Sequence, residues 1–355
     1  MSFLSYSLTF IIALIVAVLA TPISIVLAKR WGAIDHPGGR RIHDQPIPRL
    51  GGLAIYAAFW LAVIYYQTWD QRLLGLFIGS TVILVAGVWD DIKGMRPLTK
   101  LLCQLLAALV LVFFGFSFES LPIFGQKISN LGVYGAYIGA LLTVFWVVGL
   151  VNTVNISDGL DGLAAGICFG AALLLFWSAY RIDQVAPAHL TLALAGATLG
   201  FLFFNFQPAR VFMGDSGSMF LGYVIGGISI MGLLKTATIL GLVFPLLVLG
   251  MPLTDLVFAI VRRKLRGHSI AKADRGHLHH RLLDEGLSQR QAVLLLYVLS
   301  ACFGIAAVLG TQGYWLEGLA LFLVDLILLL IIFLRRMHLL TRFRRRLSVI
   351  VKGNK

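Results

Sequence analysis

The chain has 355 residues, 59% of them hydrophobic and only 13% charged, with 29 Lys and Arg against 16 Asp and Glu. A mean hydropathy of +0.90 excludes a soluble domain, whose surface could not tolerate so much apolar area. The formal net charge of +13 is therefore read as a membrane-topology signal and not as a nucleic-acid footprint.

A helix needs about 20 apolar residues to cross a bilayer while satisfying its own backbone. In chain order such runs fall near residues 7–28, 51–66, 73–89, 101–116, 133–151, 163–180, 188–204, 217–234, 237–261, 292–310 and 316–334, which predicts an all-α polytopic membrane protein with about eleven transmembrane helices. The first run lacks the basic leader and small-residue cleavage site of a secretory signal and is followed by Lys29 and Arg30, so it is expected to be retained as a span. In the ninth, "MPLTD" (251–255) brings Pro252 and an acid into apolar sequence, which predicts a broken helix lining a cavity. Residues 1–334 form the expected single transmembrane domain, and the basic, partly apolar stretch 335–355 reads as a cytoplasmic tail resting on anionic lipid.

With eleven crossings the loops divide into two sets. Arg72, Lys127, Arg181 and Lys235, four of the 29 cations, lie on one side and the other 25 opposite. Positive charge is retained inside, so the N-terminus is expected on the periplasmic side and the C-terminus in the cytoplasm. Cys103, Cys168 and Cys302 all lie in apolar runs without a CxxC pair, so neither a disulfide framework nor a zinc site is expected. No fixed-period repeat and no P-loop, dinucleotide or GxSxG motif is present.

The outer loops carry little chemistry, although 117–132 has room for a small hairpin. Five polar stretches face the cytoplasm: "DHPGGRRIHDQPIPRLGG" (35–52), "WDDIKGMRPLTK" (89–100), "NTVNISDGLDGLAAG" (152–166), "FNFQPARVFMGDSGSM" (204–219) and "RRKLRGHSIAKADRGHLHHRLLDEG" (262–286). Their convergence on one face predicts one site built from many loops. In the third stretch Asn152, Asn155, Asp158 and Asp161 recur every three residues. Such a series drifts around a helix, so a span is expected to end near Asn152 and the next to begin around Asp161, with helix capping as the bland alternative. Asp90 and Asp91 end the third span as adjacent carboxylates that need a compensating cation, or else lie in a solvated loop. Asp215 sits between glycines ahead of the eighth span, as a ligand-facing acid or an N-cap. The acids Asp35, Asp90, Asp91, Asp158, Asp161, Asp215, Asp255 and Asp274 have Lys93, Arg96, Arg210, Arg266, Arg275 and Arg281 as cationic partners. A carboxylate cluster without cysteine favours a hard cation such as magnesium, and the bases favour phosphate. His277, His279 and His280 beside Arg281 fit a phosphate-contacting loop better than a helical metal site.

Five ordered pieces, "RRIHDQPIPRLGG", "DDIKG", "NTVNISDGLDGLAAG", "FNFQPARVFMGDSGS" and "ADRGHLHHRLL", resemble the polyprenyl-phosphate N-acetylhexosamine-1-phosphate transferases of glycosyltransferase family 4. The form "HLHHRL", with "RRIH" in the first loop, is closest to the undecaprenyl-phosphate N-acetylglucosamine-1-phosphate branch; the "TPTMGG"-like stretch of the muramoyl-pentapeptide branch is missing. The resemblance implies transfer of a sugar-1-phosphate, N-acetylglucosamine foremost, from a UDP-sugar to polyprenyl (undecaprenyl) phosphate. UMP is released, and the reaction is an opening membrane step of a cell-envelope glycan pathway. It implies magnesium, with manganese as substitute, at a site on the cytoplasmic face of the bacterial plasma membrane, and is compatible with a homodimer. Residue by residue it puts Asp215 and Asp158 on the metal, and Asp90 and Asp91 nearest the lipid phosphate. Asn155 supports metal and diphosphate, Asp161 and Phe212 lie where uracil is recognised, and Asn205, Lys93, His277, His279 and His280 complete the site. Arg41 and His43 stand where the muramoyl branch carries a lysine, and Arg281 joins the phosphate contacts. The competing readings are a secondary transporter, which would place its acids near the bilayer midplane, and a CDP-alcohol phosphotransferase, whose paired-aspartate signature is not reproduced.

Overall fold

The computed structural model describes residues 3–37, 45–66, 69–118, 122–123, 126–232, 249–265 and 277–335. Helix α1 (Phe3–Trp31) leads into a short antiparallel ribbon, β1 (Ile34–Asp35) paired with β2 (Ile47–Pro48) in the register Ile34↔Pro48. Helices α2 (Gly51–Tyr66), α3 (Gln71–Lys93) and α4 (Pro97–Phe113) follow. Asp70 caps α3 by accepting the Leu73 amide at 2.7 Å, and Pro97 opens α4 where a missing amide costs nothing. The expected outer hairpin is present as β3 (Pro122–Ile123) against β4 (Gln126–Lys127), and a 3₁₀ turn (Ile128–Leu131) feeds α5 (Gly132–Ser157). Then come α6 (Leu163–Arg181), α7 (Val185–Asn205), α8 (Gly214–Gly232), α9 (Gly250–Leu265), α10 (Leu278–Asp284), α11 (Gln289–Thr311) and α12 (Trp315–Arg335).

The protein is an all-α bundle with an apolar exterior. Among the described residues, seven helices are long and apolar enough to cross a membrane (α1, α3, α5, α6, α7, α11 and α12), and shorter apolar helices run over Gly51–Tyr65, Pro97–Phe113 and Gly250–Val261. Helix α8 is the axis: every residue from Ser216 to Met231 is buried, against α2, α3 and α5. Around it the packing is close enough to need missing side chains. A Cβ on Gly196 of α7 would lie 2.3 Å from the Phe10 carbonyl oxygen of α1, and one on Gly222 of α8 would lie 2.6 Å from Val151 Cα of α5. Two buried polar side chains of the bundle pair across helices: Trp146 Nε1 donates to Ser229 at 2.9 Å, and Tyr223 donates its hydroxyl to the Ala107 carbonyl at 2.9 Å. The three cysteines are free.

Two boundaries differ from the sequence expectation. Helix α5 continues to Ser157 instead of ending near Asn152, while α6 starts at Leu163, where the apolar run 163–180 begins. The cause is internal polar satisfaction. Asn152 donates to the Val148 carbonyl at 2.8 Å and to Gln104 of α4 at 2.8 Å, while Thr153 and Ser157 each bond the carbonyl four residues back. Polar residues paired in this way extend the helix. Second, α9 carries Pro252 in its first turn, where proline is tolerated, so the described part of the ninth span is an unbroken helix. Its expected first half, together with Arg41, His43, Arg266, Asp274, Arg275 and the tail after Arg335, lies outside the described residues.

Candidate active site

The C-terminal ends of α3 and α5 and the N-terminal ends of α4 and α8 meet at one end of the bundle, beside the β1–β2 ribbon, and bring four acids and two cations together. Lys100, in the first turn of α4, places its ammonium 2.7 Å from Asp215 Oδ1, 3.1 Å from Asp90 Oδ2 and 3.4 Å from Asn155 Oδ1. The carboxylates of Asp90 and Asp215 come within hydrogen-bonding reach of each other. Asn155 donates its amide to Asp215 and to Ser218 Oγ, the latter at 2.8 Å. Asp90 is further held by the Met95 amide, 2.6 Å from Oδ1, which folds the α3–α4 turn back onto it.

Asp91 faces differently from its neighbour. Its oxygens accept the backbone amides of Asp215 (2.9 Å) and Ser216 (3.0 Å), so an α3 carboxylate caps the start of α8, where the helix dipole favours an anion. Arg49 adds Nε and Nη2 to Asp91 Oδ1 at 3.1 and 3.0 Å, and its guanidinium also lies 3.7 Å from Asp35 and 3.9 Å from Asp215. The Asp91 side chain is 0% exposed, whereas that of Asp215 is 20% exposed. Of the adjacent pair, Asp91 is consumed as a brace and Asp90 reaches the shared cluster. Burial, the largest single effect, works to lower the Arg49 pKa, but the charge and hydrogen bond of Asp91 together with the charges of Asp215 and Asp35 outweigh it and hold the guanidinium above its ordinary value.

Asp158 caps α5 and turns the chain into the 158–162 junction, where Gly162 takes a left-handed conformation (φ 79°) before α6. Burial, then the nearby charges of Asp215 and Asp91, push its carboxyl up to about 8. Asp161, expected at the base, accepts the Ala209 amide at 3.0 Å, and Asn205 accepts from the Gly162 amide (3.1 Å) while donating to the Val211 carbonyl (2.9 Å). Both stitch the junction to the 206–213 loop. The Phe212 amide donates to Pro48 and its carbonyl accepts from Gly51, extending the ribbon toward α8.

The histidine segment approaches from the other side of the junction. Asp255 of α9 accepts His277 Nδ1 (3.0 Å) and the Leu278 amide (2.8 Å), which anchors α10. His279 stacks on His277 with centroids 5.8 Å apart and lies 4.3 Å from His280. It reaches the bare backbone of Gly159, where a Cβ would come within 2.4 Å of its Nε2. Burial and then the His280 charge lower the His279 pKa to about 3, so it is a neutral imidazole. Arg281 is buried beside it.

The expected cation Lys93 is exposed on the last turn of α3 with its ammonium 4.5 Å over the Trp89 ring, not directed into the cluster. Lys100 and Arg49 take that place, and neither was singled out from sequence. A signal existed for Lys100: a lysine in the first turn of an apolar helix opposes the helix dipole and so asks for an anionic partner. Among the described residues no three His, Cys, Asp or Glu side chains form a ready metal cage. The abutting Asp90 and Asp215, with the Asp158 carboxyl close enough to interact with the charge of Asp215, nevertheless fit a hard cation that takes only one or two carboxylates and fills its shell with phosphate and water.

The sequence model for glycosyl transferase family 4 matches residues 73–233, which hold Asp90, Lys100, Asn155, Asp158 and Asp215. A Bacillus subtilis (strain 168) protein named a probable undecaprenyl-phosphate N-acetylglucosaminyl 1-phosphate transferase is 39% identical over 322 residues, covering 89% of this chain and 88% of the relative. The chain belongs to glycosyl transferase family 4. Other family relatives include the decaprenyl-phosphate N-acetylglucosaminephosphotransferase of Mycolicibacterium smegmatis (strain ATCC 700084 / mc(2)155), 36% identical over 91% of this chain and 87% of the relative. An undecaprenyl-phosphate alpha-N-acetylglucosaminyl 1-phosphate transferase of Haemophilus influenzae (strain ATCC 51907 / DSM 11121 / KW20 / Rd) is 31% identical over 97% of both chains. These similarities agree with the branch that the histidine motif resembles.

Proposed function

We propose that the protein transfers N-acetylglucosamine-1-phosphate from UDP-N-acetylglucosamine to a polyprenyl phosphate, releasing UMP, at the cytoplasmic face of the plasma membrane. The observation that carries this reading is the Asp90–Lys100–Asp215–Asn155 cluster at one end of an apolar bundle, where a membrane-held phosphate and a soluble nucleotide can meet. The names of the family relatives supply the substrate class. In this reading the bundle crosses the membrane eleven times and forms one catalytic domain.

Attack of one phosphate on another asks the protein for charge stabilisation and in-line positioning more than for covalent chemistry. Asp215 and Asp158 would hold magnesium, which would supply positive charge to the diphosphate and the departing UMP. Lys100 exchanges its carboxylate partners for the incoming phosphate oxygens, and Asp90, freed of that ammonium, takes the proton of the lipid phosphate. Asn155 orients Asp215. The neutral His279 and its neighbours His277, His280 and Arg281 close over the 158–162 junction as donors to phosphate. Asp161, Asn205 and Phe212 shape the wall on the nucleotide side.

A donor panel tests the reading. Purified protein in vesicles containing undecaprenyl phosphate is given UDP-N-acetylglucosamine, UDP-N-acetylgalactosamine or UDP-N-acetylmuramoyl-pentapeptide, with magnesium or with EDTA. A lipid-linked N-acetylglucosamine diphosphate and free UMP, formed only with magnesium, are expected. No lipid-linked sugar from any donor would sink the proposal; product in EDTA would sink its metal component.

A further inference from the structure

We infer that Arg49 is a positioning residue of the transfer reaction: it fixes Asp91 so that α8 begins where Asp215 meets Asp90 and Lys100. This rests on the transferase reading above. The backbone around Arg49 is already laced to the lead-in of α8. The Phe212 amide donates to Pro48 (2.8 Å), the Gly51 amide to Phe212 (3.0 Å) and the Gly52 amide to Met213 (2.9 Å), while Arg49 itself donates to Ala33 (3.0 Å). The side chain then repeats the connection. Nε and Nη2 both meet Asp91 Oδ1, the atom that also accepts the Asp215 amide.

There is no slack in this chain of contacts. A Cβ at Gly214 would fall 2.3 Å from the Arg49 carbonyl oxygen and 2.4 Å from Asp91 Oδ2, so a shift of Asp91 passes directly into the turn that presents Asp215. Without the guanidinium, a side chain that is 0% exposed would carry its charge beside Asp215 with two amides and the Ser216 hydroxyl, all neutral donors, to compensate it. A planar fork is also what the geometry uses. Lysine restores the charge but not the simultaneous Nε and Nη2 contacts.

The test uses full-length protein in detergent, with Arg49→Ala, Arg49→Lys, Asp91→Asn and the Arg49→Ala/Asp91→Asn double variant. Each is taken as the monodisperse fraction, with kcat, donor KM and thermal midpoint measured. A misplacement of about 1 Å at reacting groups costs on the order of 100-fold, so Arg49→Ala should lose about that much kcat with donor KM nearly unchanged. Arg49→Lys should recover only a minor part, added guanidinium should raise the rate of Arg49→Ala, and the double variant should be no slower than the slower single variant, since the two residues act as one unit. A raised donor KM at full kcat would make Arg49 a substrate contact and overturn the inference. A lowered thermal midpoint at full kcat would make it a stabiliser alone, with the same consequence. If the wild type forms no lipid-linked sugar, the transferase reading itself fails and takes this inference with it, an outcome distinct from an active wild type whose Arg49 variants keep their kcat.

Discussion

Lys100 is the residue on which the cluster's charge balance turns. Its ammonium is the common neighbour of Asp90 and Asp215, 3.1 and 2.7 Å away, and two carboxylates in mutual contact cannot both ionise cheaply without it. Lys100→Gln should therefore lower kcat on the order of 100-fold, the scale of losing a charged stabiliser in a water-poor site, while gel filtration and helical content stay unchanged; retention of a tenth or more of the rate would remove Lys100 from the mechanism. Asp158 gives a second prediction, read without metal or substrate. Its folded-state pKa is raised from 3.8 to about 8, so between those values the folded protein holds a proton that the unfolded chain has released. Stability then falls as pH rises through that window and levels off above it. Asp158→Asn should match the wild-type thermal midpoint near pH 4 and exceed it near pH 9, and a constant difference at every pH would contradict the assigned burial. At this scale the sequence was legible where residue type decides chemistry: Asp90, Asn155, Asp158 and Asp215 do converge. It was not legible where direction decides. Asp91 and Lys93 differ from Asp90 by one and three positions on the same helix, and helical geometry turns the first into a cap for α8 and the second out over Trp89.

The helices meet at the site because glycines let their backbones touch. Gly87 lies one turn before Asp91 on α3, and a Cβ there would come within 2.4 Å of Ser216 Cα and 2.5 Å of Ser216 N. This contact is with backbone, so nothing can rotate aside. Gly87→Ala must push the start of α8 away from α3, stretch the hydrogen bonds that the Asp215 and Ser216 amides donate to Asp91 and separate Asp215 from Asp90. Overpacking of this kind costs about 1–3 kcal/mol, so a lower thermal midpoint is expected together with a loss of kcat larger than the loss of folded protein. Full kcat in the folded fraction would show that α8 can move without harm to the site. That the chain is an all-α bundle of long apolar helices was readable from apolar length. What local pattern could not supply was the end of α5, because the partner that lets Asn152 stay helical is Gln104, on a different helix. The separation of Asp90 from Lys100 in sequence hides their meeting in the same way, since the turn at Gly94 (φ 75°) and Pro97 folds α4 back onto α3.

For the molecule as a whole, the position of the cluster at one end of the bundle is functional only if that end faces the nucleotide pool. The charge distribution makes the same demand: 25 of 29 Lys and Arg fall on the side of the sequence loops that carry the acids, and translocation disfavours positive loops. In the proposed reading the α3–α4 turn and the end of α10 lie in the cytoplasm and the α11–α12 turn outside. Single cysteines at Arg96, Glu285 and Gln312, all exposed positions, introduced after replacement of Cys103, Cys168 and Cys302, make this measurable. A membrane-impermeant maleimide applied to intact spheroplasts should label Gln312→Cys at once, and Arg96→Cys and Glu285→Cys only after the membrane is opened. The reverse pattern would put the acids outside, out of reach of a cytosolic UDP-sugar, and would refute the orientation and the proposed reaction together. Labelling of all three sites in intact spheroplasts would refute the placement of the α3–α4 and α11–α12 turns on opposite sides, and with it the eleven-span count.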